Sequence, residues 1–310
     1  RRGVVRHPTA LRAWARLHGR GERIVAGEYT LRPGATGRTL LDDLEAGRVV
    51  MHALRIPEGA RLREVLPRLW DGGILRPTLK GLSDADLMAA LGRPGVPAEG
   101  RFLPETYYVT RGESDFAVLA RANQALEQAL AQAWDKRTTN VFEKPDQALI
   151  LASIIEKETA VARERRQVAG VFVRRLGIGM PLQADPTVIY GLGDAYDGDL
   201  RRSHLRTDSP WNTYTRPGLP RTPIALASRA SIDAAVDPAD GKALYFVARG
   251  DGTHVFSATL AQHNAAVRRY LAHLRARAKP APPVTAEQAE APGAGAPADD
   301  AAPAAAGAGS

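Results

Sequence analysis

Apolar residues along this chain fall into two spacings, every three to four positions where a helix is expected and every second position where a strand is expected, with breaks at glycine and proline. Residues 1–18 read as a basic amphipathic helix with Leu11, Trp14 and Leu17 on one face. Residues 27–31 read as a strand, Arg32-Pro33-Gly34 as a turn, and 39–46 as a short helix closed by Gly47. A second cycle follows, with a strand over 49–56, a turn at Pro57-Glu58-Gly59 and a helix over 62–70 before Gly72-Gly73. This alternation predicts a compact α+β module at the front.

Further on, a short helix is expected at 84–91, and residues 99–108, dense in aromatics with a proline and a carboxylate, form a poor helix suited to lining a surface or cleft. Helical spacing resumes over 115–134, passes the Pro145 breaker into 146–159, and returns over 161–176 before Gly177. These three helices are expected to scaffold the main domain. Asp185-Pro186-Thr187 predicts a helix start with proline at its first position, stopping at Gly191. Four prolines within 208–224 exclude long regular structure there. Residues 244–248 and 255–257, joined by Gly250-Asp251-Gly252, read as a β-hairpin, and a last helix is expected over 260–277. The Ala/Pro/Gly-rich remainder, 278–310, has too few apolar anchors to order itself.

The helix at 146–159 carries its apolar pattern straight into two acids. At 3.6 residues per turn, Leu151, Ile154, Ile155 and Glu158 share one stripe, whereas Leu149, Ala152, Ser153 and Glu156 share another. A carboxyl that ends an apolar stripe is desolvated, its pKa rises, and it keeps the proton that a general acid needs. Glu158 suits that role better than Glu156. Two solvated acids at a surface helix end are the plainer alternative.

Composition narrows the remaining chemistry. With 310 residues the chain can build ample core, and with no cysteine it has no disulfide, thiolate metal site or thiol nucleophile. The net charge of +8 favours anionic partners, but the basic residues are spread through helices without a nucleic-acid-binding pattern, so no nucleic acid is expected. No two of the seven histidines have zinc-protease spacing, and no serine sits in a Gly-x-Ser-x-Gly elbow, so neither a metal, a cofactor nor a serine nucleophile is expected. Gly191-Leu192-Gly193 reads as a helix stop and not as a phosphate loop. The loop Ser209-Pro210-Trp211-Asn212-Thr213-Tyr214 suits a glycan groove, since aromatic faces pack on sugar rings and amide and hydroxyl groups bond their substituents. An ordinary proline-rich loop shaped by packing and turn needs alone is the plainer alternative.

Five stretches, taken in order, resemble one family. They are Glu99-Gly100-Arg101-Phe102-Leu103-Pro104-Glu105-Thr106-Tyr107, Ala152-Ser153-Ile154-Ile155-Glu156-Lys157-Glu158-Thr159, residues 175–191 with Gln183-Ala184-Asp185-Pro186-Thr187-Val188-Ile189-Tyr190-Gly191 at their end, Asn212-Thr213-Tyr214, and Gly218-Leu219-Pro220. Together they resemble the endolytic murein transglycosylase (MltG/YceG-like) family over about residues 20–275. Arg221-Thr222-Pro223-Ile224 departs from the proline-richer family loop.

The resemblance implies a bacterial enzyme that cuts within peptidoglycan strands between N-acetylmuramic acid and N-acetylglucosamine, leaving anhydro-muramic ends. It implies a truncated LysM-like module at 1–52 and a catalytic domain at 53–277, and leaves the disordered tail at 278–310 outside it. Glu158 falls where the family has its catalytic acid, with Glu105, Glu156, Gln183, Asp185, Thr187, Tyr190, Asn212, Thr213 and Tyr214 binding substrate or supporting the site. It further implies a single-pass anchor in the inner membrane, a periplasmic catalytic domain, and cell-wall synthases as partners. No run of eighteen apolar residues occurs and the first residue is Arg1, so the anchor is expected to lie outside these residues. A non-catalytic wall-binding protein, and a two-carboxylate hydrolase using Glu158 with Glu105 or Asp185, are the competing readings.

Overall fold

The computed structural model describes residues 7–20 and 24–278, so the expected tail lies outside the described residues. The fold is α+β, rich in helix with two small antiparallel sheets. At the front, α1 (Pro8–Leu17) and α2 (Gly37–Glu45) precede β1 (Met51–Arg55). Thr36 caps α2 by accepting from the Thr39 N–H at 3.2 Å while Thr39 Oγ1 accepts the Thr36 N–H at 2.9 Å. The strand expected at 27–31 is absent, and that segment is irregular, held by the Val50 N–H donating to the Glu28 carbonyl at 2.7 Å. An α3 helix (Leu62–Trp70) and an α4 helix (Asp84–Ala90) follow.

The stretch at 99–108 needs correction, because it ends in a strand. Thr106–Thr110 forms β2, which pairs antiparallel with β1 from Met51↔Thr110 to Arg55↔Thr106. Its Thr-Tyr-Tyr-Val-Thr run favours the pleated backbone, and Val109 points into the core.

Behind this sheet lies α5 (Asp115–Asp135), whose length lets it serve two cores. Val118, Leu119 and Ala122 join a cluster with Ile56, Leu62, Val65, Met88 and Phe102. Leu126, Ala129, Leu130 and Ala133 join a second cluster with Leu149, Leu151, Ile154, Ile155 and Phe172. Burying each of the larger side chains on this stripe contributes about 1.5–3 kcal/mol, so a helix long enough to reach both clusters ties the two halves into one body.

The second cluster draws on α6 (Pro145–Glu158), α7 (Arg165–Gly177), α8 (Asp185–Leu192) and α10 (Arg229–Val236), with the short α9 (Arg202–Arg206) outside it, and β3 (Tyr245–Ala248), β4 (His254–Ser257) and α11 (Leu260–Ala278) follow. The expected helix at 161–176 starts as a single 3₁₀ turn, Ala162–Glu164, before α7 proper. Neither α9 nor α10 is apparent in the sequence. The latter packs on α6 and α7 although it is only eight residues long, and Ser228 caps it by accepting from the Ser231 N–H at 3.3 Å.

α6 is fastened at both ends. Pro145 stands at its first position, where its missing N–H leaves nothing unsatisfied. Arg101, from the aromatic-rich stretch, grips Asp146 with two bonds of 2.8 and 2.9 Å. Ser153 Oγ accepts the Ile224 N–H at 3.0 Å, drawing residues 224–228 alongside the helix. That strap also pairs with the front half, Gly59 N–H to the Leu226 carbonyl and Leu226 N–H to the Ala60 carbonyl, each at 2.9 Å. It runs so close to Gly100 that a Cβ there would meet the Pro223 ring at 2.3 Å, and Gly100 also has a positive φ of 78°. No helix of the described residues is long and apolar enough to cross a membrane.

Candidate active site

α6 ends when Thr159 turns to extended backbone, and the last helical residue, Glu158, is delivered to the wall of a cavity of about 570 Å³. Ligand clefts commonly have this size. Phe172 and Arg175 enter it from α7, Leu182, Gln183 and Asp185 from the approach to α8, and Tyr214 from the proline-rich loop. Strands β3 and β4 contribute Tyr245 through Ala248 and His254, and α11 contributes Leu260, His263 and Asn264.

Among the described residues, no hydrogen bond reaches the Glu158 carboxyl. Burial pushes its pKa up to about 8, the negative Asp185 pushes in the same direction, and Arg175 opposes both. Glu158 is therefore a neutral acid at neutral pH. Arg175 makes no hydrogen bond to it; its Nε donates to the Leu244 carbonyl at 2.6 Å and its Nη1 to the Leu182 carbonyl at 2.7 Å. Its guanidinium also lies 5.2 Å from the Tyr245 ring centroid.

Asp185 is the second carboxyl on the cavity, and Tyr214 Oη donates to it at 2.5 Å. Burial and Asp185 raise the Tyr214 pKa, so the phenol keeps its proton and remains a donor. Gln183 has φ of 52°, an uncommon conformation for a residue with a side chain. Two bonds hold it there, its N–H donating to the Thr213 carbonyl at 3.1 Å and the next N–H, that of Ala184, to Thr213 Oγ1 at 3.0 Å.

The other residues singled out in the sequence stand elsewhere. Thr187 and Thr213 are buried behind the cavity wall with their hydroxyls 2.9 Å apart, bracing the start of α8. Asn212 is buried too, its amide donating to the Thr207 carbonyl at 2.7 Å and its Oδ1 accepting the Tyr214 N–H at 2.8 Å. Tyr190 packs edge-on against Trp211 at 5.5 Å, with the Arg61 guanidinium 5.0 Å from its ring centroid. Glu105 is exposed beside β2 and does not line the cavity.

Glu156 faces a different neighbourhood. It accepts the Ser228 N–H at 2.9 Å and the Ser228 hydroxyl at 2.5 Å, and Arg165 approaches to 3.8 Å. With its side chain only 5% exposed, it ties α6 to the start of α10. Sequence reasoning missed Arg175, Tyr245, His254, His263 and Asn264 as cavity residues. Arg175 lay inside one of the recognised stretches, but nothing in the spacing of His254 and His263 marks them.

Fold and cavity together define an α+β protein built around one desolvated carboxyl at an open cleft. The chain belongs to the YceG-like family, whose model matches residues 1–269. It is 35% identical over 175 residues to the endolytic murein transglycosylase of Bacillus subtilis, covering 56% of this chain and 48% of that protein. It is 24% identical over 282 residues to that of Streptococcus pneumoniae serotype 2, covering 79% of this chain and 50% of that protein. The chain thus spans about half the length of these curated relatives. The crystal structure of a yceG-like protein from Listeria monocytogenes superimposes with a TM-score of 0.60 at 28% identity, over 83% of this chain and 89% of that one.

Proposed function

We propose that this chain carries the cleaving domain of an endolytic peptidoglycan transglycosylase, with Glu158 as both acid and base. The observation that carries the reading is the unbonded, desolvated carboxyl of Glu158 on a sugar-sized cleft, and the names of the relatives support it. Protonated Glu158 gives its proton to the glycosidic oxygen as the bond from that oxygen to the muramic C1 breaks. The muramic C6 hydroxyl oxygen then bonds to C1, and its proton passes to the Glu158 carboxylate, restoring the acid. The products are a free 4-hydroxyl on N-acetylglucosamine and a 1,6-anhydro-muramic end. No water is consumed and no second nucleophile is needed.

Within this reading Gln183, Asp185 and Tyr214 touch substrate, and the negative Asp185 both keeps Glu158 protonated and faces the developing positive charge at C1. Thr187, Asn212 and Thr213 hold the cleft wall, Tyr190 extends the aromatic surface, and Glu156 fixes α6. Residues 1–52 serve as a LysM-like glycan contact, 53–277 as the catalytic domain, and the protein works at the periplasmic face of the inner membrane beside cell-wall synthases.

Digestion of purified glycan strands followed by mass spectrometry of the product ends tests this. Anhydro ends are expected, each lighter than a reducing end by one water. Reducing ends would instead make the pair Glu158 and Asp185 a hydrolase, and intact strands would leave a binding protein.

A further inference from the structure

The proton cycle above closes on Glu158 alone, yet another wall of the cavity carries a second ionisable pair. His254, the first residue of β4, lines the cavity, with Nδ1 2.7 Å from Glu164 Oε2. The His254 backbone N–H donates to the other carboxylate oxygen at 3.3 Å. One carboxylate therefore fixes both the ring and the strand that bears it. The two side chains are 14% and 8% exposed. Phe246 meets the imidazole edge-on at 5.5 Å and Phe256 lies tilted at 6.4 Å, which restricts the ring further.

With Nδ1–H donating to Glu164, the lone pair of a neutral imidazole sits on Nε2. Nε2 has no bonding partner among the described residues, and it is not sealed away either, unlike Nδ1 of His263 on the same cavity. As a brace, His254 would be complete with Nδ1 alone. The accessible nitrogen is free to meet a partner from outside the chain.

The other groups on the cavity say what kind of partner. Glu158 is neutral, and burial and the nearby Arg175 lower the His263 pKa, so that ring is neutral as well. Asp185 accepts from Tyr214, and Arg175 gives Nε and Nη1 to backbone carbonyls, which leaves only its Nη2 uncommitted among the described residues. Acceptors thus outnumber free cationic donors, an arrangement that suits an uncharged ring rich in hydroxyl and acetamido N–H groups. We infer that His254 is a substrate-binding residue whose Nε2 accepts a hydrogen bond from a hydroxyl or acetamido N–H of an N-acetylhexosamine lying across Glu158, with Glu164 as the positioning residue that sets the tautomer. This inference rests on the glycan-cleaving reading above.

Nitrogen-15 imidazole spectra of the full chain carrying Glu158→Gln, mixed with purified glycan strands, test it without turnover. The Nε2 resonance of His254 is expected to shift when strands are added. An unmoved resonance, while calorimetry shows the strands bound, overturns the inference. In the otherwise wild-type chain, His254→Ala should raise KM about tenfold with little change in kcat, as expected for one lost uniform-binding hydrogen bond. His254→Gln, which keeps an acceptor, should recover much of that loss, and an unchanged KM in folded His254→Ala also overturns the inference. If the wild type leaves strands intact and the Glu158→Gln chain does not bind them, the glycan reading fails and this inference falls with it. If strands are cut and bound while His254 stays silent, this inference fails alone.

Discussion

Glu156 and Glu158 stand two residues apart at the end of one helix, about 200° apart around its axis, and the fold treats them in opposite ways. The region around Glu156 is closed and donor-rich, with two bonds from Ser228 and the Arg165 guanidinium nearby. The region around Glu158 is an open cavity in which no donor reaches the carboxyl and Asp185 adds repulsion. A carboxylate whose charge is met by donors becomes a fastener, and one denied them becomes an acid. Burial alone does not separate the two cases, since Glu156 has very little exposed surface and belongs to the first.

The contrast is broken most forcefully by exchanging each acid for its amide. Glu158→Gln should lower strand cleavage by about 10²–10⁴-fold, the usual worth of a general acid, while circular dichroism shows an intact fold. Glu156→Gln should keep cleavage but cost about 1–3 kcal/mol of stability in a urea titration, since it weakens charged hydrogen bonds in a buried place. The opposite pattern would reverse the assignment.

A finer test uses the direction of the Glu158 shift. Cleavage should fall as pH climbs through about 8, where the acid loses its proton. Asp185→Asn removes the negative charge that helps raise this pKa, so the alkaline limb of the rate profile should move to lower pH. A limb that stayed in place would mean that Asp185 does not act on Glu158.

A further effect is expected on stability. Because the folded pKa lies above the ordinary glutamate value, the folded form holds a proton that the unfolded chain releases between those two values. The linked stability is full below the usual carboxylate range and declines as pH rises through about 8. Glu158→Gln removes this decline. Its melting temperature should exceed that of the wild type at pH 9, by roughly 2–4 °C per kcal/mol recovered, with a smaller difference at pH 5.

How much of this was legible beforehand depended on whether the signal was local. The α6 pattern was, because Leu151, Ile154, Ile155 and Glu158 share a stripe that three-residue and four-residue spacing reveals. Strand β2 was obscured by the proline and the aromatics before it, and its role comes from pairing with β1 some fifty residues earlier. Helix α10 was invisible because a short Arg-Ala-Ser-Ile-Asp run becomes a helix only when Ser228 caps it and α6 and α7 cover it. The recognised stretches near 183–190 and 212–214 pointed to the right neighbourhood, yet only Gln183, Asp185 and Tyr214 of them reach the cavity. The wall containing Tyr245, His254 and His263 is assembled by the β3–β4 hairpin packing between α7 and α11, a tertiary event with no periodic trace.

Carbon-13 spectroscopy of the side-chain carboxyls across a pH titration, with the Glu158 signal assigned by its loss in Glu158→Gln, tests the central claim most directly. An inflection near pH 8 that coincides with the alkaline limb of cleavage is the predicted result. A Glu158 that titrates in the usual carboxylate range while cleavage persists to high pH would contradict it.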